Sequence, residues 1–253
     1  LSPEQRERLK TIQTKLADLS TRFEININES KDWLEVDDAG LAGLPADYKA
    51  SLEKTPEGKY KVGLDYPSYV PFMRYAKNGE LRKALNHKYE NRAMPENLPI
   101  LKEGLELRRE VAQILGYKDY PTLALKDRMA QTPQRVADFL ARLTDKVRER
   151  AKKELAAVLE VKRRFEPGAT EVGDHERGFY SRILREEKFS YDAEEVRQYF
   201  PVDRVVTGVL SVYQRILGVT FREVKGGPSS SGIFIWTCIR ATASTRTRPP
   251  SPS

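Results

Sequence analysis

Two histidines, His87 and His175, one cysteine, Cys238, and numerous carboxylates are the residues of this chain that could hold a metal or move a proton. Their spacing organises none of that chemistry. A zinc-holding helix needs two histidines one turn apart, as in His-Glu-x-x-His, so that both rings face one ion. His87 instead stands alone among Lys and Glu, as an ordinary exposed histidine does, and His175 follows Gly173-Asp174 in what reads as a loop with a structural role. A single cysteine allows neither an internal disulfide nor a thiolate cluster. Gly226-Gly227-Pro228 lacks the lysine and following helix of a phosphate loop, and no G-x-S-x-G elbow occurs. The many Asp and Glu lie on charged helical stretches, where they read as ion-pair partners. Tyr60, Tyr66, Tyr69 and Tyr75 crowd one region and read as a buried aromatic patch. No residue is therefore assigned as catalytic, cofactor-binding or metal-ligating.

Composition sets the class of molecule. The chain has 253 residues, 32% charged and 39% hydrophobic, enough for one large or two small domains of a helical globular protein. No run of about 18 apolar residues is present to span a membrane. The chain starts at Leu1 with no charged-apolar-small leader, so its N-terminus reads as open or processed. The net charge is +7, yet only +4 of it lies at or before Lys225, and there the signs alternate along helix faces. Alternating signs read as solvated faces with i,i+4 pairing rather than as a phosphate-binding stripe. No nucleic-acid partner is expected.

The element to which the others must fit is Thr132 to Arg164. Thr132 can cap a helix whose first residue is Pro133. Val136, Leu140, Leu143, Val147, Leu155, Val158 and Leu159 recur at three- and four-residue steps, and Pro167-Gly168 stops the pattern. Such a helix is about 48 Å long and needs a long partner. The helix read at 96–115, with Leu98, Leu101, Leu105, Ala112 and Leu115 apolar and Gly116 closing it, is the expected antiparallel partner.

Before these, Ser2-Pro3-Glu4-Gln5 opens a first helix with Leu9, Ile12, Leu16, Leu19 and Phe23 on one face. Residues 28–44 read as a loop, and a short helix starts at Pro45. Tyr60, Val62, Leu64 and Tyr66 alternate as in a strand, which needs a hairpin or a distant partner. Helices follow at 71–77 and 80–91. After the central pair the pattern gives a short helix at 120–129 on the linker, then helices at 178–187, 193–199 and 202–217, and a strand from Val219. The fold class is all-α, with one or two short strands.

Several blocks, in this order, resemble the thimet oligopeptidase and neurolysin family of zinc oligopeptidases, which includes saccharolysin and oligopeptidase A. They are LSPEQRERLKTIQTKLADLSTRFEINI, the Gly43-Leu44-Pro45 turn, LEKTPEGKYKVGLDYPSYVPFMRYA, ENLPILKEGLELRREVAQILGYKDYPTLALKDRMAQTPQRVADFL, and YFPVDRVVTGVLSVYQRILGVTFREV. One departure is local. Where the family carries a Trp-Asp pair before two aromatics, this chain has His175 and Glu176 ahead of Gly178-Phe179-Tyr180. The resemblance implies part of a mostly helical fold whose two halves flank a deep channel with zinc at its floor. It implies metalloendopeptidase activity on short peptides, a mainly monomeric protein, and a cytoplasmic location, or alternatively the mitochondrial matrix or intermembrane space. The family's His-Glu-x-x-His helix and third Glu ligand follow the matched region, so zinc is a family expectation with no ligand in this chain. Residues 1–224 would supply channel-wall and scaffold helices and be inactive alone. The alternative is a non-catalytic helical scaffold with a basic disordered tail.

That tail is residues 225–253. After Lys225 there is no Asp, Glu or Lys, and Ser, Thr, Pro and Arg dominate. Where the family continues with Phe-Tyr-Leu-Asp-Leu-Tyr-Pro-Arg-Glu-Gly-Lys-Tyr, this chain has IFIWTCIRATASTRTRPPSPS. Codons for that stretch read two nucleotides later permit much of the family motif, and Trp236 before Thr237 forces an Asp. The tail therefore reads as the motif in a shifted frame, and as disordered. Sequencing the gene and transcript from the Val219 codon onward is expected to show the shifted frame running on into His-Glu-x-x-His. A shifted frame that stops at once would make the tail the protein's own.

Overall fold

The computed structural model describes residues 1–190, 192–223 and 236–240. Two compact units divide the chain, Leu1–Phe189 and Ser190–Ser253.

The first unit begins with α1 (Pro3–Asn28), set by a reciprocal cap. The Gln5 amide donates to Ser2 Oγ at 3.2 Å and the Ser2 amide to Gln5 Oε1 at 2.9 Å. Its buried residues Ile12 and Leu19 pack on Ile100, Leu107 and Val111 of α5 (Met94–Ile114). Arg8 pairs with Glu110 at 2.6 Å, Lys15 pairs with Glu103, and Asn26 donates to Asn97 at 2.9 Å, which makes the two helices antiparallel. The partner of the 96–115 helix is thus α1, a correction to the pairing read from sequence. The physical reason is that α5 carries two apolar stripes. Ile100, Leu107, Val111 and Ala112 are buried, whereas Leu98, Leu101 and Leu105 are about half exposed.

Between α1 and α5 lies a second core. The stretch at 28–44 is not all loop: β1 (Trp33–Val36) and a 3-10 turn (Ala39–Leu41) form within it. β1 pairs antiparallel with β2 (Tyr60–Gly63), Val36 opposite Tyr60 and Trp33 opposite Gly63. The strand read to Tyr66 stops at Gly63 because Asp65 Oδ2 accepts from the Ser68 amide and starts α3 (Tyr66–Tyr75). α2 (Ala46–Ser51) and α4 (Gly79–Glu90, capped by Asn78) complete this part. Val36, Val62, Leu41, Leu44, Phe72, Ala76 and Leu85 fill its interior. Tyr60, Tyr69 and Tyr75 pack against it half-buried, and Tyr69 stacks on Tyr89 at 3.8 Å, but Tyr66 is 72% exposed and outside the expected patch.

Asp119 caps α6 (Tyr120–Leu125), and Thr132 caps α7 (Pro133–Phe165) by accepting from the Arg135 amide at 3.2 Å. The C-terminal end of α7 packs on α8 (Asp174–Phe189) through Val158, Val161, Phe179 and Tyr180. α8 also lies against α3 and α4. His175 is therefore in the first turn of a helix rather than in a loop.

In the second unit, α9 (Ala193–Arg197) precedes α10 (Val202–Leu217), which Gly218 closes at φ 64°. β3 (Val219–Glu223) pairs antiparallel with β4 (Trp236–Arg240). Within the tail read as disordered, 236–240 form a strand, while 225–235 and 241–253 lie outside the described residues. The described residues are predominantly helical, and no described helix is long and apolar enough to cross a membrane.

Gly43 fixes the join between the 3-10 turn and α2. Its φ is 91°, and a Cβ there would stand 2.4 Å from the Tyr75 carbonyl oxygen. Gly58 has φ 84° with nothing within 4 Å of a Cβ. Gly43→Ala is expected to cost about 3 kcal/mol, and Gly58→Ala about 1 kcal/mol. Urea unfolding of the two variants checks the difference.

Candidate functional site

The most concentrated chemistry in the structure is a buried charged cluster where α7, α8 and α4 meet. Lys162 is 8% and Glu176 7% exposed. Lys162 Nζ donates to Glu176 Oε2 at 2.6 Å and lies 3.5 Å from Glu166 Oε2. The Gly173 amide donates to the same Glu176 oxygen at 2.7 Å. Tyr180 Oη donates to Glu166 Oε1 at 2.8 Å. Arg82 is 1% exposed. Its Nη1 donates to the Ala76 and Lys77 carbonyls at 2.6 and 3.2 Å, and its Nε to the His175 carbonyl at 3.3 Å. The guanidinium lies 4.3 Å from the centre of the Phe179 ring.

Local structure explains how these groups meet. Lys162 follows Val158 by one turn, so it emerges on the apolar face of α7 that α8 covers. The chain then turns at 166–173 and presents Glu176 from the first turn of α8. A carboxylate is favoured there by the free amides of the helix start. Glu176, the acid of the His175-Glu176 departure noted in the sequence, is the group that closes the pair with Lys162.

The protonation states follow from these contacts. Burial opposes the charge on Lys162, but the hydrogen bond and charge of Glu176 outweigh it and hold the ammonium above the usual lysine range. Burial likewise opposes the charge on Glu176. Its bond from Lys162 and the Gly173 amide win, holding its carboxyl below the usual range. Burial, then the bond to Glu166, pushes Tyr180 up to about 12. Burial lowers Arg82 from its ordinary value. Neither Lys162 nor Glu176 is poised to exchange a proton near neutrality, so the cluster fastens helices rather than doing acid–base work.

The histidines are not brought together as a site. His87 is exposed, with its Nδ1 3.3 Å from Asn91 Nδ2, and the His175 ring stands 4.0 Å from Glu176. Among the described residues no group of three or more His, Cys, Asp or Glu is placed to hold a metal ion, so they do not fit a zinc centre. A cavity of about 470 Å³ opens beside the hairpin, lined by Trp33, Lys61, Asp65 and Arg92 among others. Its Lys31, Lys61 and Arg92 are matched by Asp32, Glu53 and Asp65, which leaves no net charge to select a ligand.

The sequence profile described as Peptidase family M3 matches residues 72–231, more than half of the chain. The chain belongs to peptidase family M3. The match takes in the last turn of α3, the whole charged cluster and α10. Oligopeptidase A of Salmonella typhimurium is 34% identical over 238 residues, covering 88% of this chain and 35% of that protein. The thimet-like oligopeptidase of Dictyostelium discoideum is 30% identical over 250 residues, 94% of this chain and 37% of that protein. Saccharolysin of Saccharomyces cerevisiae is 30% identical over 239 residues, 89% and 33%. The chain thus spans about a third of the length of these M3 relatives. The family agrees with the resemblance drawn from the ordered blocks.

The sequence reading missed Arg82, Lys162 and Glu176. A signal existed for one of them: Lys162 interrupts the apolar face of α7 between Val158 and the helix end. Lys162→Met leaves a buried carboxylate unpaired and is expected to cost about 3–5 kcal/mol, with most of that regained in Lys162→Met/Glu176→Leu. The depressed Glu176 carboxyl adds stability above its unfolded value of about 4.3, lost as pH falls through its folded pKa. The raised Lys162 adds stability below about 10.4, lost as pH rises through its folded pKa. Urea unfolding across pH checks both signs, and the double variant should lack both limbs.

Proposed function

We propose that this chain is the channel-wall and scaffold portion of a zinc-dependent oligopeptidase that hydrolyses short peptides, and that the chain alone is inactive. The observation that carries this reading is the similarity to proteins named oligopeptidases along 88–94% of the chain. In the assembled enzyme, zinc supplies an activated water. This chain's residues do other work: they hold the helices that border the peptide's path. The Arg82, Lys162 and Glu176 cluster keeps α4, α7 and α8 in fixed register. The channel limits substrates to short peptides without stable structure, and the assembled enzyme is a monomer of the cytoplasm.

A second reading, a helical scaffold with no catalytic role, draws on one observation. Apolar faces on α5 and α7 are exposed without partners among the described residues, as on a binding module. The two readings differ in one experiment. The purified chain with zinc and a quenched fluorescent peptide is expected to show no hydrolysis above buffer. A chimera in which the chain replaces the matching third of oligopeptidase A is expected to cleave the peptide, with activity lost to a chelator. Zinc-dependent cleavage by the chain alone overturns the inactivity, and a folded but inactive chimera overturns the oligopeptidase reading in favour of the scaffold.

A further inference from the structure

The first 25 residues of α7 form a surface with a definite polarity. From Pro133 to Ala157 all but Pro133 and Val136 are exposed, before the helix enters its packing with α8 at Val158. Phe139, Leu140, Leu143, Val147 and Leu155 are 44–56% exposed. Val136, Leu140, Leu143, Val147 and Ala151 fall at steps of four, three, four and four residues, a central arc of about 80° on the helix, with Phe139 and Leu155 each about 40° beyond one of its edges. The line continues through Leu155 into Val158, where α8 covers it. The exposed seam is therefore the uncovered extension of an interface that already exists.

Charge decides what fits it. Lys146 and Arg150 border the seam on one side, with Arg142 and Lys153 just beyond, and Ala137, Thr144 and Arg148 border it on the other. The acids Asp138, Asp145 and Glu149 lie on the back of the helix. Arg150 is held by Glu154 and Arg148 by Asp145, whereas Arg142, Lys146 and Lys153 make no ion pair among the described residues. Arg142, Lys146 and Lys153 lie within an arc of about 40°. A second copy would set cations against cations or neutral residues, with no acid on either flank. A membrane-binding face does not carry an acid such as Glu154 near its centre. An apolar seam with charged flanks that runs on under α8 is the geometry of helix-on-helix packing.

We propose that residues 136–155 of α7 are the docking surface for an amphipathic helix whose apolar seam is flanked by Asp and Glu. That helix is contributed by the remainder of the longer polypeptide. The source rests on the oligopeptidase reading above, whereas the chemistry of the surface stands without it. The occupant extends the cover that α8 gives to Val158, and its acids neutralise Arg142, Lys146 and Lys153.

The probe is a labelled 20-residue synthetic helix with leucines at seam spacing and glutamates on its flanks, titrated into the 253-residue chain by fluorescence anisotropy. The expected result is binding at least tenfold tighter than that of the same peptide with lysine flanks, weakening with salt. A variant carrying R142E, K146E and K153E should reverse the preference while its circular dichroism stays unchanged. Equal binding of both peptides, no binding, binding of anionic vesicles instead, or self-association of the chain through α7 each overturns the proposal. The chimera with the remainder of oligopeptidase A should no longer take up the probe. Continued uptake there overturns the assigned source alone, and none of these readouts depends on peptide cleavage.

Discussion

A buried ammonium and a buried carboxylate 2.6 Å apart, Lys162 and Glu176, set the terms for the rest of the first unit. Neither charge is tolerable in that interior without the other, because the desolvation of each is offset only by the partner at close range. The pair therefore specifies one register between α7 and α8, since sliding either helix by a turn leaves both charges unpaired. Arg82 carries that specification further. It ties the carbonyls that end α3 to the first turn of α8 and stacks on Phe179, so α3, α4 and α8 move as one piece with α7. Arg182 adds a second tie, from α8 to the Arg74 carbonyl. The cluster is a fastener made of ionic groups, whose worth lies in uniqueness more than in net stability.

The two halves of the first unit use different physics. The α1–α5 pair is held by an apolar seam rimmed with exposed ion pairs that solvent screens, so burial of Ile12, Ile100 and Leu107 carries it. The hairpin region depends on backbone geometry as well. Gly43 admits an approach to the Tyr75 carbonyl that no side chain permits, and the Lys77 amide reaches the Ala42 carbonyl at 3.0 Å across the same join. Substituting within the first half loosens packing, while substituting at Gly43 displaces a backbone.

Elements with strong local signals were legible in the sequence. Thr132-Pro133 and Pro167-Gly168 bracket α7, which runs Pro133–Phe165, and Ser2 through Gln5 announces α1. The alternation at Tyr60 to Val62 marks β2, but its partner β1 was hidden, because four residues amid Asn, Ser and Asp carry too little pattern. Pairing was harder than existence. Periodicity shows that α5 has apolar faces and cannot say which neighbour each face meets, so α1 was overlooked in favour of α7. The family was legible from the order of blocks. The charged cluster was legible only at Lys162, which breaks the apolar face of α7, whereas Arg82 and Glu176 look like any other charges until folding removes them from water.

The α1–α5 pairing also has a consequence in time. Ile12 and Leu19 find their partners only when Ile100 through Val111 have been made, with the whole hairpin region synthesised in between. At ribosomal rates of 5–20 residues per second, that is an interval of about 5–20 s. During it the first helix has left the exit tunnel with its apolar stripe bare. The hairpin core, whose contacts lie within residues 34–89, is complete before then. The hairpin core therefore closes while the apolar stripe of α1 still waits for α5, and α1 is the segment that needs shielding in that interval.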